Sequence, residues 1–443
     1  SLGIVPERQQ QGQGNTAGQR AAGAVASDAS LYFELQECPM SHWLSSQVRT
    51  ASCFMLATAL ATSVFAQGRD PKLFPELSRT ISAEMEATNL ATDYKGVTTD
   101  GKLVEGLYPL HSTGIDTAPL IKAANDFIAT MSEAQKQDSL YPIDNIEWRK
   151  WANMSIYKRH GVGFDDMDAK QQDAAWALLD SALSTKGVTL ARDIMHLNET
   201  LGELTNNNFV EFGEGKYWLT FMGTPSASEP WGWQLDGHHL IINFFVQGDQ
   251  IVMTPAFWGS EPAVATAGKY AGTRIMDEEQ IKGLALINAL DAEQQKAAIL
   301  FSNKTGNNIL TEAWSDNVVI ENGGAEVSKF TGEQKALLMD VIGLYIGNME
   351  APLAEDKMKE ITAHLDETHF AWIGETKDDS VFYYRIQSPV LVIEFDHQAP
   401  VGLGHIYPRG VPYREHVHSM VRTPNGNDYG KDLLRQHYLT HKH

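Results

Sequence analysis

Histidine is the residue with which this chain could do chemistry, and it is gathered in two places. Seven of the fifteen histidines lie between His397 and His443, among them the pair in Arg414-Glu415-His416-Val417-His418. The second place is far upstream, at Asp236-Gly237-His238-His239. Side chains two apart on a strand share a face. His416 and His418 can therefore offer two imidazole nitrogens to one ion. If 236–239 is extended, Asp236 and His238 share a face in the same way, and His239 points to the other. Were the two segments neighbours, two or three imidazoles and a carboxylate would converge. That donor set suits a divalent transition metal, with zinc, copper and iron all compatible. The expected ligands are His238, His239, His416 and His418, with His405 a further candidate. Asp236 or Glu415 would act as a base or orient a ligand. His437 and His441, four apart, would share a face on a C-terminal helix.

The same residues have an ordinary structural use. Asp236-Gly237-His238-His239 could be a hydrogen-bonded turn with Asp236 capping backbone amides. A His-x-His strand can be one face of a half-buried sheet, or a metal-free catalytic or binding site built with arginine. Arg149, Arg385, Arg414 and Arg422 all fall in the dense motifs. Guanidinium forks recognise carboxylate or phosphate, so Arg149, Arg385 and Arg422 are read as binders of an anionic substrate. The alternative is internal ion pairing, for instance Arg385 with Glu394. Trp148, Trp151, Trp231, Trp233 and Trp258 could wall a sugar or aromatic ligand, but core packing accounts for them as well.

Other chemistries are excluded by what is missing. There is no Gly-x-Ser-x-Gly elbow, no Gly-Lys-Ser/Thr phosphate loop, no Gly-x-Gly-x-x-Gly and no His-Glu-x-x-His. The net charge of −21 argues against nucleic acid and anionic membrane partners. Residues 1–39, rich in Gln, Gly, Ala and Ser, read as a non-native upstream extension or a disordered stretch. From Met40, a basic flank at Arg49 precedes an apolar run that closes on Val64-Phe65-Ala66. This layout predicts a signal peptide over 40–66, cut after Ala66, and hence a periplasmic or extracellular protein. Both cysteines, Cys38 and Cys53, precede that cut, so residues 67–443 have no disulfide and no thiolate chemistry. No later stretch is long and apolar enough for a membrane span.

The elements that must position these residues follow from periodicity. Apolar residues at three- and four-residue steps predict helices over 78–91, 118–131, 171–184, 278–301, 332–349 and 355–369. A helix start signal recurs four times, as Ser132-x-x-Gln135, Asp168-x-x-Gln171, Asp291-x-x-Gln294 and Thr331-x-x-Gln334. Because the spacing is irregular, these read as recurring caps and not as a repeat. Aromatic and β-branched runs predict strands over 216–223, 234–246, 250–257, 381–386, 390–396 and 415–422. Residues 234–246 and 250–257 should form a hairpin around Gln247-Gly248-Asp249. The fold expected is α+β: an antiparallel sheet built from sequence-distant hairpins, surrounded by helices, with 67–443 a single domain.

With those segments in view, the chain resembles a family of mostly bacterial proteins, domain of unknown function 3500. The resemblance is carried by Thr113-Gly114-Ile115-Asp116-Thr117, Glu147-Trp148-Arg149-Lys150-Trp151-Ala152-Asn153 and Pro230 through Leu240. It continues through Thr254 to Pro262, Tyr383-Tyr384-Arg385-Ile386, and His416-Val417-His418 through Gly430. It implies no activity. The residues themselves point to an exported metal-dependent enzyme, hydrolytic or oxidative, acting on a small or anionic substrate. The alternative is a periplasmic or extracellular binding protein for an anionic or carbohydrate ligand.

Overall fold

A computed structural model describes residues 74–440. The expected leader, the stretch before it and His441 lie outside the described residues. What is described is α+β: helices packed around a mixed, mostly antiparallel sheet of thirteen strands. No described helix is long and apolar enough to cross a membrane.

After α1 (Phe74–Asn89) the chain runs through α2 (Ala118–Thr130), α3 (Glu133–Ser139), β1 (Leu140–Tyr141), β2 (Val162–Gly163), α4 (Ala169–Ala182) and α5 (Thr185–Leu204). It then lays down β3 (Tyr217–Met222), β4 (Trp231–Gly237), β5 (Leu240–Gln247), β6 (Gln250–Val252) and β7 (Ala256–Ser260). The second half repeats this order. It has α6 (Asp277–Ala289), α7 (Ala292–Ala298), β8 (Ile299–Phe301), β9 (Ala325–Glu326), α8 (Gly332–Ile346) and α9 (Ala351–Ala363). There follow β10 (His369–Gly374), β11 (Phe382–Gln387), β12 (Val392–His397), β13 (Val417–Arg422) and a closing helix α10 (Lys431–Thr440).

The sheet reads β1-β3-β4-β5-β7-β13-β12-β11-β10-β8, the same from either edge. The pairing repeats too. β1 on β3 and β8 on β10 are the parallel contacts, and β2 on β3 and β9 on β10 are antiparallel. The four start signals are the clasps of these two units. Each is a complete capping box. In the first unit Gln171 Nε2 reaches Gln135 Oε1 and Thr130 O. In the second, Gln334 Nε2 reaches Gln294 Oε1 and Ala289 O. Thr130 and Ala289 are the last residues of equivalent helices. Among the described residues the same arrangement of elements thus occurs twice, which the irregular cap spacing did not reveal. The paired boxes lie 36 residues apart in one unit and 40 in the other, so a connecting loop of different length hides the period.

Four predicted elements are broken where local chemistry demands it. The strand 234–246 turns back at His238-His239, where His239 takes φ +62° and Gly237 lies against the Tyr217 ring. The strand 250–257 is interrupted at Thr254-Pro255, since proline cannot donate to a ladder. The helix 278–301 ends at Ala289, because Asp291 accepts from Glu293 and Gln294 N–H and starts a new helix. Residues 355–369 likewise end in strand, at His369. Helix α5 was not predicted, although Ser184 caps it and Val188, Ala191, Ile194, Met195 and Leu201 are buried along it.

Alternation along the strands makes the two sheet faces chemically different. Leu235, Ile242, Trp258, Val421, Ile393 and Tyr384 face the large apolar core beneath the helices. The opposite face carries Gln234, Asp236, Asn243, His418, Arg422, Glu394, Asp396 and Arg385, all buried. Residues 142–161 and 302–324 cover that polar face without regular strand pairing. A buried coil must satisfy its backbone groups somewhere, and here the sheet's side chains do it. Glu394 accepts from Leu310 N, Thr311 N and Tyr383 Oη, and Arg422 donates to Thr311 O and Glu312 O.

Candidate metal centre

The seam between the two units is the antiparallel pair β7–β13, where His418 lies opposite Gly259. Gly259 N donates in turn to His239 O at 2.9 Å. The row across the sheet is therefore His418, Gly259, His239. With no side chain in the middle position, the two imidazoles lean together over the gap. A Cβ at 259 would stand 2.5 Å from Val417 O, too close for any other residue without strand movement.

His416, two residues before on the same face, completes a cluster. His418 Nε2 lies 3.0 Å from His239 Nε2 and 3.0 Å from His416 Nε2. All three residues are at most 5 % exposed. For metal–nitrogen bonds of about 2.1 Å, ligand nitrogens sit about 3.0 Å apart at right-angle geometry and about 3.4 Å apart in a tetrahedron. Both separations from His418 fall in that range, and the ligand atoms of all three residues lie within 4.8 Å of one another, so the group could hold one ion.

The far side of each ring decides what the near side offers. His416 Nδ1 is 2.7 Å from Ala399 O, and a carbonyl only accepts. The proton is thus on Nδ1, and Nε2 is a bare lone pair aimed into the cluster. His418 Nδ1 is 2.6 Å from Glu312 Oε1. An ionised Glu312 takes a proton from that nitrogen and leaves a second bare Nε2 facing the first. Two lone pairs at 3.0 Å repel unless a cation lies between them. Without an ion, a proton must stand between them: His418 donates from Nε2 to His416, and its Nδ1 either accepts from a protonated Glu312 or, in the imidazolium, donates to the carboxylate. Carbonyl and carboxylate behind ligating imidazoles are the usual outer partners of a metal site. Burial keeps the imidazoles neutral, as metal binding requires: it lowers His416 to about 4 and His418 to about 3, and pushes His239 well down. Burial raises Glu312 to about 7, against the donation of Gln398.

Of the expected ligands, His239, His416 and His418 come together. His238 does not join them. Its Nδ1 is 2.8 Å from Asn198 Oδ1, and its ring lies flat on His239 at 3.9 Å. Asn198 Nδ2 donates to Gly213 O, which turns its oxygen to His238 and makes Nδ1 the donor. His405 sits on the outside, with Nε2 against Leu204 O at 3.0 Å. His437 is buried on α10, where Nδ1 meets Gln247. The expected carboxylates are also elsewhere. Asp236 lies buried 3.1 Å from Arg159 Nε, and burial lifts it to about 7 despite that guanidinium. Glu415 stands at 3.5 Å from Tyr407 Oη. The carboxylate at the cluster is Glu312, which no local motif marks.

Two of the three arginines read as anion binders are occupied internally. Arg422 is fully buried, with Nη1 at 2.8 Å from Asp316 and 3.1 Å from Asp428. Arg149 takes the other oxygen of Asp316 at 2.8 Å and also donates to Thr92 O. Arg385 is buried opposite Glu394 in the ladder, but the carboxylate of Glu394 is filled by residues 310–311 and Tyr383. The five tryptophans singled out in the sequence are all fully buried in the core.

No curated protein and no solved structure matches the chain. Residues 113–431 match the family described as Protein of unknown function (DUF3500), a span that contains both units and every residue of the histidine cluster. The chain belongs to the DUF3500 family.

Proposed function

We propose that this is an exported metalloenzyme whose single divalent transition ion is held by His239, His416 and His418. One observation supports it above the rest: Nε2 atoms 3.0 Å apart converge while Ala399 O and Glu312 hold the opposite Nδ1 atoms. Three imidazoles leave room on an ion for a small ligand, and the ion supplies Lewis-acid or redox chemistry there. Zinc, copper and iron all fit an all-nitrogen set. Glu312, about one-fifth exposed, is the group that fixes His418 and can hold or release a proton beside the site. The substrate is small, because histidines this deeply buried leave little room. Of the three expected anion binders, Arg149 and Arg422 are paired with Asp316 and Asp428.

The experiment is a screen of metal-loaded full chain against small hydrolytic and oxidative substrates, with chelated protein and His418→Ala as controls. An activity that vanishes in both controls and returns with metal in wild type alone supports the proposal. A chain that keeps its ion yet turns over nothing in the panel belongs to the binding-protein class. Export is tested separately: protein recovered from periplasm or medium should begin at or near Gln67, and a recovered species retaining 56–65 would refute it.

A further inference from the structure

The two coil segments that supply the outer partners of His416 and His418 meet at one side chain. Gln398 opens the connection from β12 to β13. Its N–H donates to His416 O at 2.8 Å, and its carbonyl accepts from Tyr413 N at 3.1 Å. Its amide nitrogen lies 3.2 Å from Glu312 Oε1 and 3.2 Å from Asp396 Oδ2. The residue is buried. An amide NH2 has two protons and no lone pair to offer, so it serves one carboxylate with each. Asp396 is itself immobilised, by Lys304 Nζ at 3.0 Å and Asn308 N at 2.8 Å. Lys304, Asn308 and Glu312 belong to the same covering segment, 302–324. Gln398 is therefore the point at which that segment, strand β12 and the β12–β13 connection are tied together.

We propose that Gln398 is the positioning residue of the metal centre, a role that rests on the reading of His239, His416 and His418 as ligands. It touches neither ion nor substrate. It holds Glu312 Oε1 against His418 Nδ1, which aims His418 Nε2 at the point where the three imidazoles meet. Through its own backbone it keeps the His416 segment in register with β12. A leucine here would keep most of the volume but leave the Glu312 and Asp396 oxygens without their shared donor. A glutamate would keep the shape and set a third carboxylate between two others.

The test is zinc affinity, measured by competition with a chromophoric chelator on full chains of wild type, Gln398→Leu and Gln398→Glu. Thermal melting of the metal-free proteins is measured alongside. Loss of an outer partner of a metal ligand costs about 10–100-fold in affinity, and that loss is expected in both variants. The metal-free variants should fold but melt below wild type, because buried carboxylates lose their donor or gain a like-charged neighbour. Because Gln398 acts through Glu312, adding Gln398→Leu to Glu312→Ala should cost little beyond Glu312→Ala alone. Wild-type affinity in Gln398→Leu, additive losses in the double variant, or failure of both single variants to fold would each overturn the assignment. A wild type that takes up no zinc, copper or iron removes the centre itself, a result distinguishable from any of these.

Discussion

At the scale of the residue, the ligands and their surroundings make separable predictions. His418→Ala removes a nitrogen that touches both other ligands, so it should abolish metal uptake; the metal-free variant should also melt below wild type, because a buried ring is lost and Glu312 loses its partner. Metal at about 100 times its dissociation constant should stabilise wild type by about 2.7 kcal/mol and His418→Ala not at all, read as the shift in melting temperature. The pH dependence is distinctive. Free imidazoles would each compete for a proton below about pH 6.5. Here burial holds His416 at about 4 and His418 at about 3, so they are already neutral. Glu312, raised to about 7 by burial, is the group left to titrate. Metal favours its ionised form, so affinity should fall as pH drops through about 7 and stay flat above it. The loss should approach tenfold per pH unit, one proton, and competition titrations from pH 5.5 to 8 would show it. A slope of two or three protons would mean ordinary exposed histidines.

At the scale of the element, the strands and covering segments are what the centre depends on. Gly259→Ala places a methyl 2.5 Å from Val417 O and must push β7 from β13. Destabilisation by about 1–3 kcal/mol is expected, with weakened metal binding, because the same strands carry the ligands; denaturant melts and zinc competition check both. Arg422→Met leaves Asp316 and Asp428 buried without their shared guanidinium and frees the carbonyls of Thr311 and Glu312. Breaking such a pair costs about 3–5 kcal/mol, so this variant should unfold well before wild type in denaturant. Much of this layer was legible. The strands over 216–223, 381–386, 390–396 and 415–422 stand close to where the aromatic and β-branched runs put them, and His416-x-His418 does present one face. The partners were not legible. Glu312 sits in an aperiodic coil, and it reaches His418 only because Arg422 and Glu394 pin that coil to the sheet. Arg422 itself reads from sequence as a ligand-binding fork; only the fold shows that its anions are Asp316 and Asp428.

At the scale of the whole molecule, two units of like order share one sheet, and the cluster stands at their seam. The four capping boxes were visible in the sequence as signals, but their kinship was not, because the loops between them differ and no residue-level period survives. Their paired clasps, Gln135 with Gln171 and Gln294 with Gln334, appear only once the helices are packed. The first unit gives His239 and the second gives His416 and His418, so neither unit alone holds a complete site. The most direct measurement is the metal content of the full chain after saturation and removal of free ion, by elemental analysis. Wild type should hold one zinc, copper or iron ion per chain, and the His239→Ala, His416→Ala and His418→Ala triple variant should hold none. A folded wild type without bound metal, or a triple variant that keeps the ion, would contradict the account.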